Sequence, residues 1–129
     1  MNTLVDSSIW IDYFRGTGPT EIVDLLIEEN NIFTNDLILA ELIPALQVRS
    51  HNRLISLLRQ IKQHPVAIDW DDIIAMQTTC MRNGINGVGI PDLIIAQNAI
   101  QNDLYLLTSD KHFELLSGYV PLSLHQQGG

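Results

Sequence analysis

Basic residues are scarce in this chain. Seven lysines and arginines stand against fifteen aspartates and glutamates, for a formal net charge of −8 over 129 residues. A protein that grips nucleic acid nonspecifically is normally basic, because phosphate contacts release counterions. Bulk charge therefore cannot hold a polyanion here; bound metal and a local basic patch would have to offset the field. Two divalent ions would bring −8 to −4. A basic protein partner is the other natural complement. Cysteine is nearly absent: Cys80 stands alone, which excludes an internal disulfide and reads as a small reduced core residue on a helix rather than a nucleophile. Long apolar runs are missing too, so no segment approaches the roughly 20 residues of a membrane span. The start, Met1-Asn2-Thr3-Leu4-Val5-Asp6, has neither the basic residues nor the cleavage site of a secretory signal. The expected location is the cytoplasm.

A hydrophobic content of 46% supports a core and argues against disorder. No linker, repeat or low-complexity stretch divides the chain. The pattern predicts strands at Thr3–Val5, Asn31–Thr34, Val66–Ile68, Leu104–Thr108 and Tyr119–Leu122. Helices are expected at Ser7–Phe14, from a Thr20 cap, from Thr34 or Asn35 through Val48, and over Asn52–Gln63. Three more follow: after Asp69, with Asp71 and Asp72 at its first turn; from Pro91 to about Asn102; and over Lys111–Ser117. Gln126–Gly129 reads as a disordered tail. Short apolar strands alternating with helices imply a three-layer α/β fold, a parallel sheet covered on both faces. Ligands of such sheets gather outside the carboxyl ends of the strands, where the strand order switches.

Four acids sit where that rule gives them meaning. Asp6 in Leu4-Val5-Asp6-Ser7-Ser8 and Asp110 in Leu107-Thr108-Ser109-Asp110 each follow an apolar strand. Asp92 opens an apolar helix behind Pro91, and Glu41 interrupts the apolar run from Leu37 to Ile43. Each has a plain structural account, as a helix cap, a dipole partner or a solvated helix edge. Acids flanked by core residues on several elements are nevertheless costly unless a cation holds them. Carboxylates with hydroxyls, as in Asp6-Ser7-Ser8, suit a hard ion such as Mg²⁺.

Taken in order and spacing, these blocks resemble the PIN-domain ribonucleases, and among them the VapC-type toxins of toxin–antitoxin pairs. The resemblance rests on Leu4-Val5-Asp6-Ser7-Ser8-Ile9-Trp10, Glu41, Pro91-Asp92-Leu93-Ile94-Ile95-Ala96 and Leu107-Thr108-Ser109-Asp110-Lys111-His112-Phe113. It implies one PIN-like nuclease domain over residues 1–125, with a parallel sheet of about five strands between helices. By the same resemblance Asp6, Glu41, Asp92 and Asp110 are the catalytic, metal-binding acids, and Ser8 and Thr108 are polar supports. The implied activity is Mg²⁺- or Mn²⁺-dependent endonucleolytic hydrolysis of RNA; the chemistry of that reaction suggests in turn that Asp6, Asp92 and Asp110 hold the metal and Glu41 positions the attacking water. The implied partners are an RNA substrate, a second copy of the chain, and a small basic antitoxin inserting an arginine or lysine among the acids. Housekeeping nucleases share the pattern.

Other residues rank lower. Arg49, Arg53, Arg59 and Lys62 cluster in one segment, with Arg49 and Arg53 on one face if their helix is continuous; Arg15 and Lys111 are comparable candidates for an RNA edge. His112 reads as a solvated helix residue before a phosphate contact, and His51, His64 and His125 lack zinc-ligand spacing. Trp10, Tyr13 and Phe14 fit core packing better than base stacking. Two competing phosphoryl-transfer folds are disfavoured. A haloacid-dehalogenase-like site wants an aspartate where Ser8 stands, and a receiver domain wants an acidic pair and a strand-ending lysine that are not visible. A binding module whose acids do no chemistry is the remaining alternative.

Overall fold

Parallel strands cannot be joined by tight turns, so every crossover lays helix against the sheet. The computed structural model describes residues 1–125; the tail expected at Gln126–Gly129 lies outside the described residues. The chain runs β1 (Thr3–Val5), α1 (Ser7–Phe14), α2 (Thr20–Glu28), β2 (Ile32–Thr34), α3 (Asp36–Val48), α4 (Asn52–Arg59), β3 (Lys62–Gln63), α5 (Trp70–Arg82), α6 (Ile90–Gln101), β4 (Tyr105–Leu107) and α7 (Lys111–Ser117). The strands form one parallel sheet in the order β3-β2-β1-β4. The chain thus builds outward from β1 through β2 to β3, then returns to add β4 on the other side of β1. That reversal is the switch point, and it lies between β1 and β4.

The core follows from the apolar pattern. Leu4 and Val5 on β1, Leu106 and Leu107 on β4, Ile9 on α1, Ile38 on α3, Leu93 on α6 and Phe113 on α7 are all fully buried or nearly so. The three-layer α/β arrangement matches the expectation from sequence. Asn35, rather than Thr34, caps α3, its Oδ1 accepting from the Ile38 N–H at 2.9 Å. Pro44 lies inside α3 without ending it. Thr20 does not cap α2: Pro19 holds that position with no side-chain bond, and Thr20 is the first helical residue.

Three expectations are corrected. The helix placed over Asn52–Gln63 stops at Arg59, and Lys62–Gln63 forms β3 instead, paired with Phe33 and Thr34. The strand placed at Tyr119–Leu122 is not formed; the chain meets the sheet only at Leu124, which makes a single parallel bridge to Leu106. The described sheet therefore has four strands and this one bridge. No strand forms at Val66–Ile68 either.

The reason is chemical. Pro65 has no N–H to give a ladder, and amide side chains of α6 take the place of a neighbouring strand. Asn98 Nδ2 donates to the carbonyls of His64 and Pro65, both at 3.3 Å. Gln101 Nε2 donates to Ala67 O at 3.0 Å. Gln97 makes a two-way clasp on Asp69, accepting from its N–H at 3.1 Å and donating to its carbonyl at 3.0 Å.

Asn98 also accepts from buried Asn35 Nδ2 at 3.0 Å, so it ties the α3 cap to the 64–69 segment. Replacing it leaves buried donors and acceptors unpaired, each worth about 1–3 kcal/mol. Asn98→Leu is expected to lower unfolding free energy in urea by about 2 kcal/mol or more. A loss no larger than that of an exposed substitution such as Glu28→Ala would contradict this role.

Candidate active site

Pairing of Val5 with Leu107 brings the next residues of β1 and β4 side by side at the carboxyl edge of the sheet. The Asp6 N–H still reaches Leu107 O at 2.9 Å, and Thr108 Oγ1 donates to Asp6 Oδ2 at 2.8 Å. Ser8 Oγ, from the second residue of α1, donates to the same oxygen at 2.9 Å. Asp6 is 95% buried by its 5% exposure and occupies the cap position of α1 without bonding any helix N–H. The plain account of Asp6 as a helix cap therefore fails: its carboxylate is held by hydroxyls, not spent on the backbone.

The other two aspartates do cap helices, but each with one oxygen. Asp92 Oδ2 accepts from the Gly89 N–H at 3.1 Å at the mouth of α6. Asp110 Oδ1 accepts from the His112 N–H at 2.9 Å at the mouth of α7, and the same oxygen lies 2.9 Å from His112 Nδ1. Asp6, Asp92 and Asp110 thus share one arrangement. In each, the protein fixes one carboxylate oxygen and, among the described residues, makes no hydrogen bond to the other.

Glu41 comes from α3, which packs on α1 and α6. It lines a cleft of about 290 Å³ with Arg15, Phe14, Arg49, His51 and Leu54, so it faces a cavity as its sequence neighbours implied. The residue is exposed overall while its carboxyl end is partly desolvated. Burial first, then the charges of Asp6 and Asp92, push that carboxyl above its ordinary value, against a hydrogen bond from Ser7. Asp92 is raised as well. Burial leads, the Gly89 N–H opposes it, Asp110 and Asp6 add to the rise, and His112 opposes. All four acids therefore lie in one mutually repelling field, although they come from four separate segments.

Arg49 and Arg53 do not share a helix face. Arg49 caps the end of α3, Ser50 takes a left-handed φ of 58°, and α4 begins anew at Asn52. The basic segment is dispersed by this break, and only Arg49 joins Arg15 in the Glu41 cleft. Trp10 is buried and stacks on Phe14, with centroids 5.7 Å apart, in keeping with core packing. Sequence reasoning missed the pairing of His112 with Asp110 and the Ser7 contact to Glu41. A histidine two residues after a capping aspartate was the one available sign of the first.

The PIN domain family matches residues 3–118. The chain belongs to the PIN domain family. Among solved structures, the PIN fold of this chain is similar to that in the DNA-bound VapBC of Salmonella typhimurium, with a TM-score of 0.76, 16% identity and 99% of each chain covered. It is similar also to VapBC2 of Rickettsia felis bound to a promoter DNA fragment, with a TM-score of 0.75, 20% identity and 97% and 98% coverage. A third likeness is to VapBC-1 of nontypeable Haemophilus influenzae, with a TM-score of 0.73, 21% identity and 98% of each chain covered. At such identities the likeness establishes the fold. No curated protein matches the sequence.

Among the described residues no three His, Cys, Asp or Glu side chains close into a ready metal cage. Mg²⁺ asks for less, because it keeps several waters and takes only one or two carboxylates. An all-oxygen donor set with unneutralised repulsion fits that demand.

Burial and repulsion together have a sign in pH. Acids raised in the folded state bind more protons folded than unfolded once pH passes the ordinary carboxylate value, so stability falls as pH rises through the window up to the raised value. The metal-free protein is expected to lose melting temperature across that window. Glu41→Gln should flatten the loss and melt higher than the unsubstituted chain at neutral pH. Calorimetry showing the same pH slope in both would refute the repulsion.

Proposed function

We propose that this PIN domain is a metal-dependent endoribonuclease acting in the cytoplasm as the toxin of a toxin–antitoxin pair. The observation that carries this is the common arrangement of Asp6, Asp92 and Asp110. Each presents one oxygen unengaged among the described residues at the β1–β4 switch point, while Glu41 enters from α3. Asp6, Asp92 and Asp110 would hold Mg²⁺ or Mn²⁺, with Glu41 completing the acidic set. When bound, the ion supplies relief of negative charge on the phosphoryl oxygens and a nucleophilic water at neutral pH.

The chain's own residues do the rest. Ser8 and Thr108 hold Asp6 by two hydroxyl donors, so the carboxylate keeps its orientation when phosphate approaches. Glu41, with its raised affinity for protons, accepts a hydrogen bond from the attacking water and positions it. Arg15 and Arg49, at the rim of the same cleft, give the RNA backbone the local positive charge that an overall −8 withholds. A purely structural binding module needs none of these free oxygens, nor a glutamate facing an open cleft.

Two surfaces support the partners. A second cavity of about 480 Å³ is lined by Trp10, Tyr13, Phe14, Ile32, Leu54 and Leu58, among others, and shares Phe14 and Leu54 with the Glu41 cleft. An antitoxin laying an apolar segment there could pass a lysine or arginine through the cleft to the acids. Trp10 Nε1, buried and without a hydrogen-bond partner among the described residues, would gain an acceptor. The homodimer is supported by α5, where Trp70, Ile74 and Met81 expose an apolar face beside Ile90. Reciprocal variants separate the two surfaces. Leu54→Asp should abolish antitoxin capture and leave the dimer intact by light scattering, and Met81→Glu should do the reverse. A single variant that abolishes both, or neither doing so, would contradict the assignment.

Activity is tested directly with Mn²⁺ and single-stranded RNA. Asp92→Asn is expected to keep the fold and abolish cleavage. Metal at ten times its dissociation constant should stabilise the unsubstituted chain by about 1.4 kcal/mol. Full Mn²⁺-dependent cleavage by pure Asp92→Asn would overturn the site.

A further inference from the structure

We infer that His112 is a positioning residue for Asp110. Its ring and its backbone N–H together pin one carboxylate oxygen so that the other is presented to the divalent cation, and Gly87 is the residue that leaves room for the ring. This rests on the metal-dependent reading above and extends it to a residue outside the acidic set. A helix cap needs one donor on the capping carboxylate, and the His112 N–H at 2.9 Å already supplies it. Nδ1 of the same residue lies at 2.9 Å from the same oxygen, within hydrogen-bond distance, and when it carries the ring proton it is a second donor that capping does not require. Two donors from different directions fix the rotation of the carboxylate as well as its place. They also saturate Oδ1, so Oδ2 is the oxygen left for a ligand.

The far edge of the ring is confined as closely. Gly87 has a φ of +85°, and a Cβ built there would stand 2.8 Å from His112 Nε2 and 3.2 Å from Cε1. No side chain fits between that backbone and the ring, and the left-handed φ favours glycine independently. The 83–89 loop that carries Gly87 ends at Gly89, whose N–H holds Asp92 Oδ2. One imidazole therefore touches the supports of two acids, bonding Asp110 directly and packing on the loop that holds Asp92. Removing the N–H should loosen the ligand geometry without touching a ligand.

The test uses Mn²⁺ titrated into the metal-free full chain, followed by loss of the free-ion electron paramagnetic resonance signal, with apo melting measured in parallel. Groups that orient metal ligands are typically worth about 10–100-fold in metal affinity. His112→Phe, which keeps a ring and loses the donor, is expected to weaken Mn²⁺ binding about tenfold or more, while His112→Asn, whose Nδ2 replaces Nδ1, should stay within about threefold. Gly87→Ala, which expels the ring, should weaken binding as His112→Phe does. Unchanged affinity in His112→Phe, or His112→Asn as weak as His112→Phe, overturns the inference, because general packing would then explain the ring. Unchanged affinity in Gly87→Ala overturns the part assigned to Gly87. If the unsubstituted chain itself fails to bind Mn²⁺, the metal-site reading falls and this inference with it. If it binds and Asp92→Asn does not, while His112→Phe is unaltered, only the inference falls.

Discussion

Repulsion among carboxylates is the constraint around which this molecule is organised. Burial first, and then the charges of their neighbours, raise Glu41 and Asp92, which works against folding. The sheet makes the arrangement possible because its strand order reverses between β1 and β4, which leaves a crevice where two strand ends and two helix mouths meet. The field is tolerable because each aspartate is partly neutralised by donors. Hydroxyls serve Asp6, the Gly89 N–H serves Asp92, and His112 serves Asp110. Those donors reach only one oxygen per carboxylate. The stabilisation is therefore incomplete by construction, and the remainder is available to a cation.

Much of this was legible in the sequence because the decisive residues are adjacent to strong signals. An aspartate directly after a buried apolar strand, or directly after Pro91 at a helix mouth, has its location set by local pattern alone. The β1–α1, α6 and α7 elements follow that rule, whereas Glu41, mid-way along α3, stands out only because the residues around it are apolar. What was not legible depends on contacts distant in sequence. Val66–Ile68 looks like a strand because it is short and apolar; only the amides of α6, some thirty residues on, show why it stays outside the sheet. The two-residue β3 was hidden for the opposite reason, since Lys62 and Gln63 are polar and exposed and enter the sheet by edge pairing with β2. The break at Ser50 likewise turns on a left-handed residue with no glycine to announce it, and it scattered a basic cluster that spacing alone had grouped.

The acidic site and the acidic surface also bear on each other. A chain of net charge −8 repels RNA at long range, so under the proposed function encounter would rely on local positive charge near the crevice, and salt should affect such a complex less than it does a basic binder. The same field attracts a cationic protein from a distance. On the reading proposed above, long-range charge thus favours a basic inhibitor over an RNA substrate.

The amide side chains of Gln97, Asn98 and Gln101 have a consequence for how this backbone can vary in length. They grip carbonyls at residues 64, 65, 67 and 69 from fixed steps along one helix, so the strap and the helix are matched like the teeth of a rack and pinion. An inserted or deleted residue in the strap would push every later carbonyl out of mesh. Since α6 carries Asp92 at its opposite end, the slip could be absorbed only by sliding that helix along its axis, which would move the acid away from its neighbours. Changes of length should therefore be accommodated in the exposed turn around Gly16–Gly18, away from α6, and not in a strap that resembles an ordinary surface loop.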